Sequence, residues 1–299
     1  AKKCVKSFEL IKKRRRFNEF TKKHLRVTKK CGTKTDLQRT AAKFDAVITG
    51  SDQVWNPNAT GGDFGYFLDF VGSGTKKIAY AASIGYRTFP PKYESKCIEY
   101  LKGFESISVR EKSACKTVAE SVDKDVENVL DPTLLLSDLR WLDIAKKPRN
   151  LPHRYILVYM MEGCKYTIEK ARALARDKEC DLVLINPTLR QRQTCKDFIM
   201  YKAASPEEFV GMFAQADAVV TNSFHGVAFS IIFKKEFYAE TSNAEKSARI
   251  IDLLALFDLS DRILPNEING KPNWEKVNSE LIKEKNKSIS WLKDSLDLN

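Results

Sequence analysis

Short apolar runs alternate along this chain with longer stretches whose apolar residues recur every three or four positions. The short runs predict strands at residues 45–49, 77–83, 106–110 and 126–130, and again at 155–160, 182–185, 218–220 and 237–239. The longer periodic stretches predict helices at 91–104, 112–121, 166–177, 227–233, 246–257 and 274–296. One more helix starts at Ser205-Pro-Glu-Glu208 and runs to about residue 216. There Ser205 serves as N-cap, Pro206 fills the first helical position, and Glu208 completes a capping box. Such β/α alternation implies parallel sheets covered on both faces by helices. The polar, two-proline segment 146–152 interrupts it and is the expected linker between a first domain, 1–145, and a second, 153–299.

The stretch Ala218-Val-Val-Thr-Asn-Ser-Phe-His-Gly-Val-Ala-Phe-Ser-Ile-Ile-Phe233 condenses that pattern into one unit. It reads as a buried strand, a polar loop at 221–226 and an apolar helix behind it, so its polar residues fall on the carboxyl edge of a sheet, where α/β proteins bind ligands. The helix N-terminus aims N–H groups at any anion there. His225, one of three histidines, is then either a proton-transfer group for an anionic substrate or a side chain that only caps or packs.

The run 45–49 leads into Gly50-Ser-Asp-Gln-Val-Trp-Asn56, a second ligand-side loop. Gly50 permits close backbone approach, and Ser51 and Asp52 offer small polar groups to hydroxyls or oxyanions. Gln53, Trp55 and Asn56 suit a sugar, with the indole as apolar face and the amides as paired donors and acceptors; the alternative for Trp55 is a place in the core. Ser83 ends the next strand. Arg110 ends the one after it, where a planar guanidinium suits a carboxylate or phosphate, or else pairs at the surface with Glu111 or another acid.

Composition narrows the function classes. The 299 residues are 43% hydrophobic, enough for two ordinary cores. No apolar run reaches 18 residues and no secretory signal opens the chain, so no membrane span is expected. Seven cysteines without a CxxC pair fit reduced thiols and a cytoplasmic protein, and His24, His153 and His225 lack ligand spacing, so no metal is expected.

The net charge of +12 is local, because residues 1–34 hold 14 Lys+Arg against Glu9 and Glu19 while the remainder balances. Lys12, Lys13, Arg14, Arg15 and Arg16, interleaved with Phe8, Leu10, Ile11, Phe17 and Phe20, form either a solvated helix face or a peripheral contact with an anionic inner membrane face; nucleic acid is not the expected partner. The chain opens without an initiator methionine and is read as beginning inside a larger protein.

Five ordered segments carry a resemblance: 45–56, Tyr80-Ala-Ala-Ser-Ile-Gly85, Ile107-Ser-Val-Arg-Glu111, Leu130-Asp-Pro-Thr-Leu-Leu-Leu136 and Thr221-Asn-Ser-Phe-His-Gly226. Together they resemble the polysaccharide pyruvyl transferase family over roughly residues 17–262. The resemblance implies an α/β fold of two Rossmann-like domains with parallel sheets in a GT-B-like arrangement, the first domain N-terminally truncated relative to the family. It also implies one interdomain cleft faced by Ser51, Arg110 and His225. The implied reaction moves the enolpyruvyl group of phosphoenolpyruvate onto a sugar of a bacterial surface polysaccharide or its precursor, leaving a pyruvate ketal and phosphate.

In that scheme phosphoenolpyruvate is the donor substrate, no cofactor or metal is needed, and the acceptor is a sugar or lipid-linked oligosaccharide. His225 and Arg110 are the implied catalytic pair, as proton relay and anion holder. Gly50, Ser51, Asp52, Gln53, Trp55, Asn56, Ser83, Asn222, Ser223 and Gly226 are the implied substrate contacts. Ser223 stands where well-studied members carry an arginine, and Arg249 or Lys246 is the expected replacement. Two other readings remain open at this point: a nucleotide-sugar glycosyltransferase on the same architecture, and a non-catalytic carbohydrate- or anion-binding module.

Overall fold

The computed structural model describes residues 2–86, 88–161, 163–241, 244–266 and 270–298, with side chains from residue 8 onward and only the backbone at 244–246. The first elements are α1 (Lys2–His24), α2 (Lys34–Ala41), β1 (Ala46–Thr49), β2 (Lys76–Ala82), α3 (Glu94–Leu101), β3 (Ser106–Val109), α4 (Lys112–Val122) and β4 (Val126–Asn128). Two short helices follow, α5 (Pro132–Leu135) and α6 (Asp138–Leu142). The chain then continues through β5 (Tyr155–Tyr159), α7 (Lys165–Asp177), β6 (Asp181–Ile185), α8 (Leu189–Thr194), β7 (Ile199–Tyr201), α9 (Pro206–Gln215) and β8 (Ala218–Thr221). It closes with α10 (Phe224–Ile232), β9 (Glu236–Glu240), α11 (Ala244–Leu256), β10 (Ile263–Leu264) and α12 (Trp274–Ser295).

Among the described residues the strands form two all-parallel sheets, ordered β1-β2-β3-β4 and β10-β9-β8-β5-β6-β7. The α/β expectation with parallel sheets therefore holds. Strands β5 and β8 lie inside their sheet, and their apolar runs follow from burial on both faces. The capping box expected at Ser205 is present: Ser205 Oγ accepts from the Glu208 N–H, and Glu208 reaches back to the Ser205 N–H at 3.1 Å.

The chain divides into two compact units that do not follow the expected limits of 1–145 and 153–299. One unit, around the four-stranded sheet, comprises residues 28–135, 243–257 and 275–299. The other, around the six-stranded sheet, comprises 1–27, 136–242 and 258–274. The chain leaves the four-stranded unit at residue 135, ahead of the predicted linker, and returns to it twice. Helix α12 covers that sheet through Trp291 and Leu292, which pack against Tyr80 and Val129, while Ser288 Oγ accepts from the Leu130 N–H at 3.0 Å. Helix α11 joins α4, where Asp252 accepts from both the N–H and the hydroxyl of Ser113 at 3.0 Å. Sequence order hid these returns because amphipathic helices carry no mark of the sheet they cover.

The basic start behaves as a docked helix on the six-stranded unit. Arg16 donates to the Ala203 carbonyl at 2.8 Å and pairs with Glu208, and Glu9 pairs with Arg192 at 2.7 Å. Lys12, Arg14 and Arg15 remain exposed, as do Phe8, Leu10, Ile11 and Phe17. No helix among the described residues is long and apolar enough to cross a membrane.

Candidate functional site

In the four-stranded unit the carboxyl ends of all four strands converge on a charged cluster. Strand β1 runs into Gly50, Ser51 and Asp52; β2 into Ser83; β3 into Arg110 and Glu111; and the chain beyond β4 into Asp131. Gly50 has φ +133°, and a Cβ there would lie 1.8 Å from the Tyr80 carbonyl oxygen, so the turn requires glycine. Past it the backbone locks onto β2 through the Ser83 N–H to the Asp52 carbonyl at 3.1 Å and the Trp55 N–H to the Ser83 carbonyl at 3.1 Å.

Arg110 is the hub of that cluster. Its NH1 donates to Asp131 Oδ2 at 2.9 Å, its NH2 to Asp52 Oδ1 at 3.3 Å, and its Nε to Glu111 Oε1 at 3.4 Å. Asp131 Oδ2 also accepts from the Ser51 hydroxyl at 2.8 Å, and Asp131 Oδ1 from the N–H and hydroxyl of Thr133 at 3.0 and 2.7 Å. The Arg110 side chain is 2% exposed. Against the cost of that burial, Glu111 and Asp131 hold its pKa above the ordinary value. The surface ion pair weighed for Arg110 is thus corrected: it is a buried guanidinium with three acids, and removing it would leave carboxylates buried without a counter-charge.

Arg249, brought in by α11, is the second cation. Its NH1 lies 3.4 Å from Asp52 Oδ1, and its buried Nε has no hydrogen-bond partner among the described residues. Burial, and then the neighbouring Arg110 charge, push its pKa down. Arg249 is therefore the cation of the cluster with unused donor capacity. The other replacement considered, Lys246, lies outside the described side chains.

Glu111, expected only as a surface partner for Arg110, is a buried member of the cluster. It is the N-cap residue of α4, yet its side chain does not cap that helix. It turns inward, 1% exposed, and accepts through Oε1 from the Ser83 hydroxyl and from Arg110. Its Oε2 has no hydrogen-bond partner among the described residues. Burial raises its pKa, opposed by Arg110, Ser83 and Arg249. Asp131 lies in the 130–136 segment that carries the family resemblance, yet it was given no role of its own there.

Several expected sugar contacts are corrected by their burial. Trp55 is fully buried, stacked on Phe67 and edge-on to Phe104, so it anchors the core and offers no face to a pyranose. Asn56 is buried, donates to Gln53 Oε1 at 2.7 Å and accepts from the Asn58 N–H at 3.1 Å, so its amide holds the loop together. Ser83 is fully buried beside Glu111 and accepts from the Gly85 N–H at 3.1 Å. Ser51 and Gln53 are half-buried and Asp52 is exposed, which leaves these three as the accessible polar groups of the loop.

In the six-stranded unit the central element begins its helix earlier than expected. Helix α10 starts at Phe224, so His225 lies in its first turn rather than in a loop. The tight exit from β8 explains the early start: the Thr221 hydroxyl donates to the Tyr159 carbonyl and accepts from the Ser223 N–H at 3.0 Å. A Cβ at Gly226 would lie 2.1 Å from Thr221 Oγ1, so glycine allows the helix to pack against that threonine. Asn222 accepts from the Met161 N–H at 2.8 Å and donates to Cys164 Sγ at 3.0 Å. Ser223 is the N-cap residue and is buried, without a side-chain cap bond. His225 is half-buried, its ring edge-on to Phe224.

Similar solved structures report on the fold. UDP-GlcNAc 2-epimerase from Methanocaldococcus jannaschii is 13% identical, with a TM-score of 0.54 over 88% of this chain and 81% of that one. AviGT4, a glycosyltransferase involved in avilamycin A biosynthesis, is 13% identical, with a TM-score of 0.51 over 92% and 80%. A putative UDP-N-acetylglucosamine 2-epimerase from Listeria monocytogenes gives 13% and 0.51 over 90% and 76%. At such identities the likeness concerns the fold alone, and it agrees with the GT-B-like class expected from the sequence. No curated protein is similar enough in sequence to count as a relative. The family profile described as polysaccharide pyruvyl transferase, however, matches residues 5–242, spanning the Gly50 loop, the Arg110 and Asp131 segments and the His225 turn. The chain belongs to the polysaccharide pyruvyl transferase family.

Proposed function

We propose that this protein transfers the enolpyruvyl group of phosphoenolpyruvate to two hydroxyls of a sugar in a surface polysaccharide or its precursor, forming a pyruvate ketal and releasing phosphate. The observation that carries the reading is the pair of arginines, Arg110 and Arg249, gathered on one carboxyl-side sheet edge in a family of pyruvyl transferases. Phosphoenolpyruvate is a compact polyanion, and guanidinium groups suit its carboxylate and phosphate through charge-assisted hydrogen bonds.

The reaction needs a proton on the methylene carbon as the central carbon becomes cation-like. Two C–O bonds to the sugar then form at that carbon and the C–O bond to phosphate breaks. One hydroxyl proton is balanced by the new methyl group, and the other leaves with phosphate. His225 is assigned the proton relay, and Arg249, with Arg110 behind it, the substrate anion. Ser51, Asp52 and Gln53 are the accessible groups assigned to the acceptor hydroxyls.

The test is phosphate release from phosphoenolpyruvate across a panel of sugars and lipid-linked oligosaccharides, with mass spectrometry of the acceptor. A mass gain equal to one pyruvate less one water, with one phosphate released, is the expected result. Release of free nucleotide from a nucleotide sugar, with no turnover of phosphoenolpyruvate, would replace this reading with a glycosyltransferase. No turnover of either donor with any acceptor would leave a binding module.

A further inference from the structure

The proposed function leaves one buried acid without a role. Glu111 is the most enclosed carboxyl of the cluster: one oxygen is engaged by Ser83 and Arg110, and the other, buried, has no partner among the described residues. An ionised carboxylate with a bare buried oxygen is costly, whereas a proton on that oxygen removes the charge. The groups around it come from every neighbouring segment. Arg110 and Ser83 touch it from the ends of β3 and β2, and Arg249 faces it from α11. Asp131 and Asp52 reach it through Arg110, and Cys115 of α4 lies within its field with a thiol pushed up to about 11 by burial. Asp252 of α11 is bound to Ser113.

With Glu111 ionised the five charged groups sum to −1, and with Glu111 protonated they sum to zero, since two arginines then face Asp52 and Asp131. A polyanion arriving at the arginines meets repulsion in the first state and none in the second. We infer that Glu111 is a proton-loaded positioning residue: it holds Arg110 and Ser83 in place and, where ionised, takes a proton from solvent as an anionic substrate binds, so that anion uptake and proton uptake are coupled. The substrate half of this inference rests on the transferase reading.

The sign follows from linkage. A bound anion raises the affinity of Glu111 for its proton, so anion binding is tightest where Glu111 is already protonated and weakens as pH rises through its titration. Burial likewise places the folded-state pKa above the unfolded value near 4.3, so the stability it contributes is full below the unfolded pKa and is lost as pH rises through the folded one.

Glu111→Gln tests both halves, because the amide copies the protonated acid and can still accept from Ser83 and Arg110. Without ligand, urea unfolding across pH 4 to 9 should show wild type losing stability relative to Glu111→Gln as pH rises. Parallel curves would overturn the protonated resting state. With phosphoenolpyruvate, and separately with inorganic phosphate, calorimetry in buffers of different ionisation enthalpy should show net proton uptake by wild type and less by Glu111→Gln, with a flatter pH profile of Kd in the variant. Equal proton uptake and equal pH profiles would overturn the coupling. If phosphate binds with these signatures and phosphoenolpyruvate does not, the transferase reading fails and the inference stands. If neither anion binds, the coupling fails as well, and the unfolding curves still decide the resting state.

Discussion

Arg110 and Arg249 meet the same oxygen of Asp52, at 3.3 and 3.4 Å. Two guanidinium groups this close repel, and the shared carboxylate offsets that repulsion while its own side chain stays 59% exposed. Asp52 thus occupies the position that a substrate carboxylate or phosphate oxygen would contest.

It follows that Asp52→Asn should tighten binding of inorganic phosphate and phosphoenolpyruvate. Asp52 itself is open to water, which screens it, so the gain is modest, about 1.4- to fivefold in Kd, from an interaction of about 0.2–1 kcal/mol. Calorimetric Kd values for wild type and variant check it; weaker binding by the variant would make Asp52 a substrate ligand rather than a competitor.

The two arginines should fail differently. Removing Arg110 strands the buried Asp131 carboxylate and takes a donor from buried Glu111, so Arg110→Ala is expected to cost about 3–5 kcal/mol in stability, read by urea unfolding. Arg249→Ala leaves only the exposed Asp52 without that partner and should change stability far less. It should instead raise KM for phosphoenolpyruvate, by about tenfold or more for charge-assisted hydrogen bonds worth about 1.5–3 kcal/mol. A stable Arg110→Ala protein, or an Arg249→Ala enzyme with unchanged KM, would each break this division of roles.

The contrast shows what the sequence carried and what it withheld. Apolar runs located the strands that lead into the charged cluster and the His225 turn; β8, buried on both faces, is the clearest, because such a strand must be written in apolar residues. Gly50 was legible as a point of close backbone approach, whereas Gly226 was expected only as a substrate contact and instead packs α10 onto Thr221. Trp55 was misplaced because an indole next to polar loop residues has the same spelling whether it faces a sugar or the core. The burial of Glu111 and Asp131 was not legible because it depends on β2, β4 and α11 arriving together, which no local pattern encodes. The return of α11 and α12 to the four-stranded sheet was hidden in the same way. Strands β7 and β10, of three and two residues, were missed, and two residues are too brief to show a period.

The glycine at 50 offers a test that is independent of substrate. Gly50→Ala would force a Cβ against the Tyr80 carbonyl at a φ that L residues rarely adopt, with the nearest atoms all backbone of Tyr80 and no flexible side chain to yield. It should destabilise the four-stranded unit by more than about 2 kcal/mol and slow turnover by misplacing Ser51 and Asp52. Thermal unfolding measures the first effect. A variant as stable as wild type would mean that this turn has another accessible shape.

His225 is the residue to which the proposed reaction assigns the proton relay. It sits in the first turn of α10, held there by the Thr221 hydroxyl bridge and by Gly226, whose missing side chain lets the helix close on Thr221. An imidazole is the side chain whose ordinary chemistry lets it give up a proton and take one back, which is the ground for assigning His225 the relay. If it relays protons to the methylene carbon or from the sugar hydroxyls, His225→Ala should lower kcat by about 10²- to 10⁴-fold while phosphoenolpyruvate still binds. His225→Gln keeps a hydrogen-bonding group without a titrating proton and should be impaired to a similar degree, which separates proton transfer from mere positioning. The acidic or basic limb that His225 contributes to the pH profile of kcat should vanish in both variants. A Gln variant that recovers near-normal kcat would reduce His225 to a hydrogen-bonding contact, and an Ala variant with normal kcat would remove it from the reaction altogether.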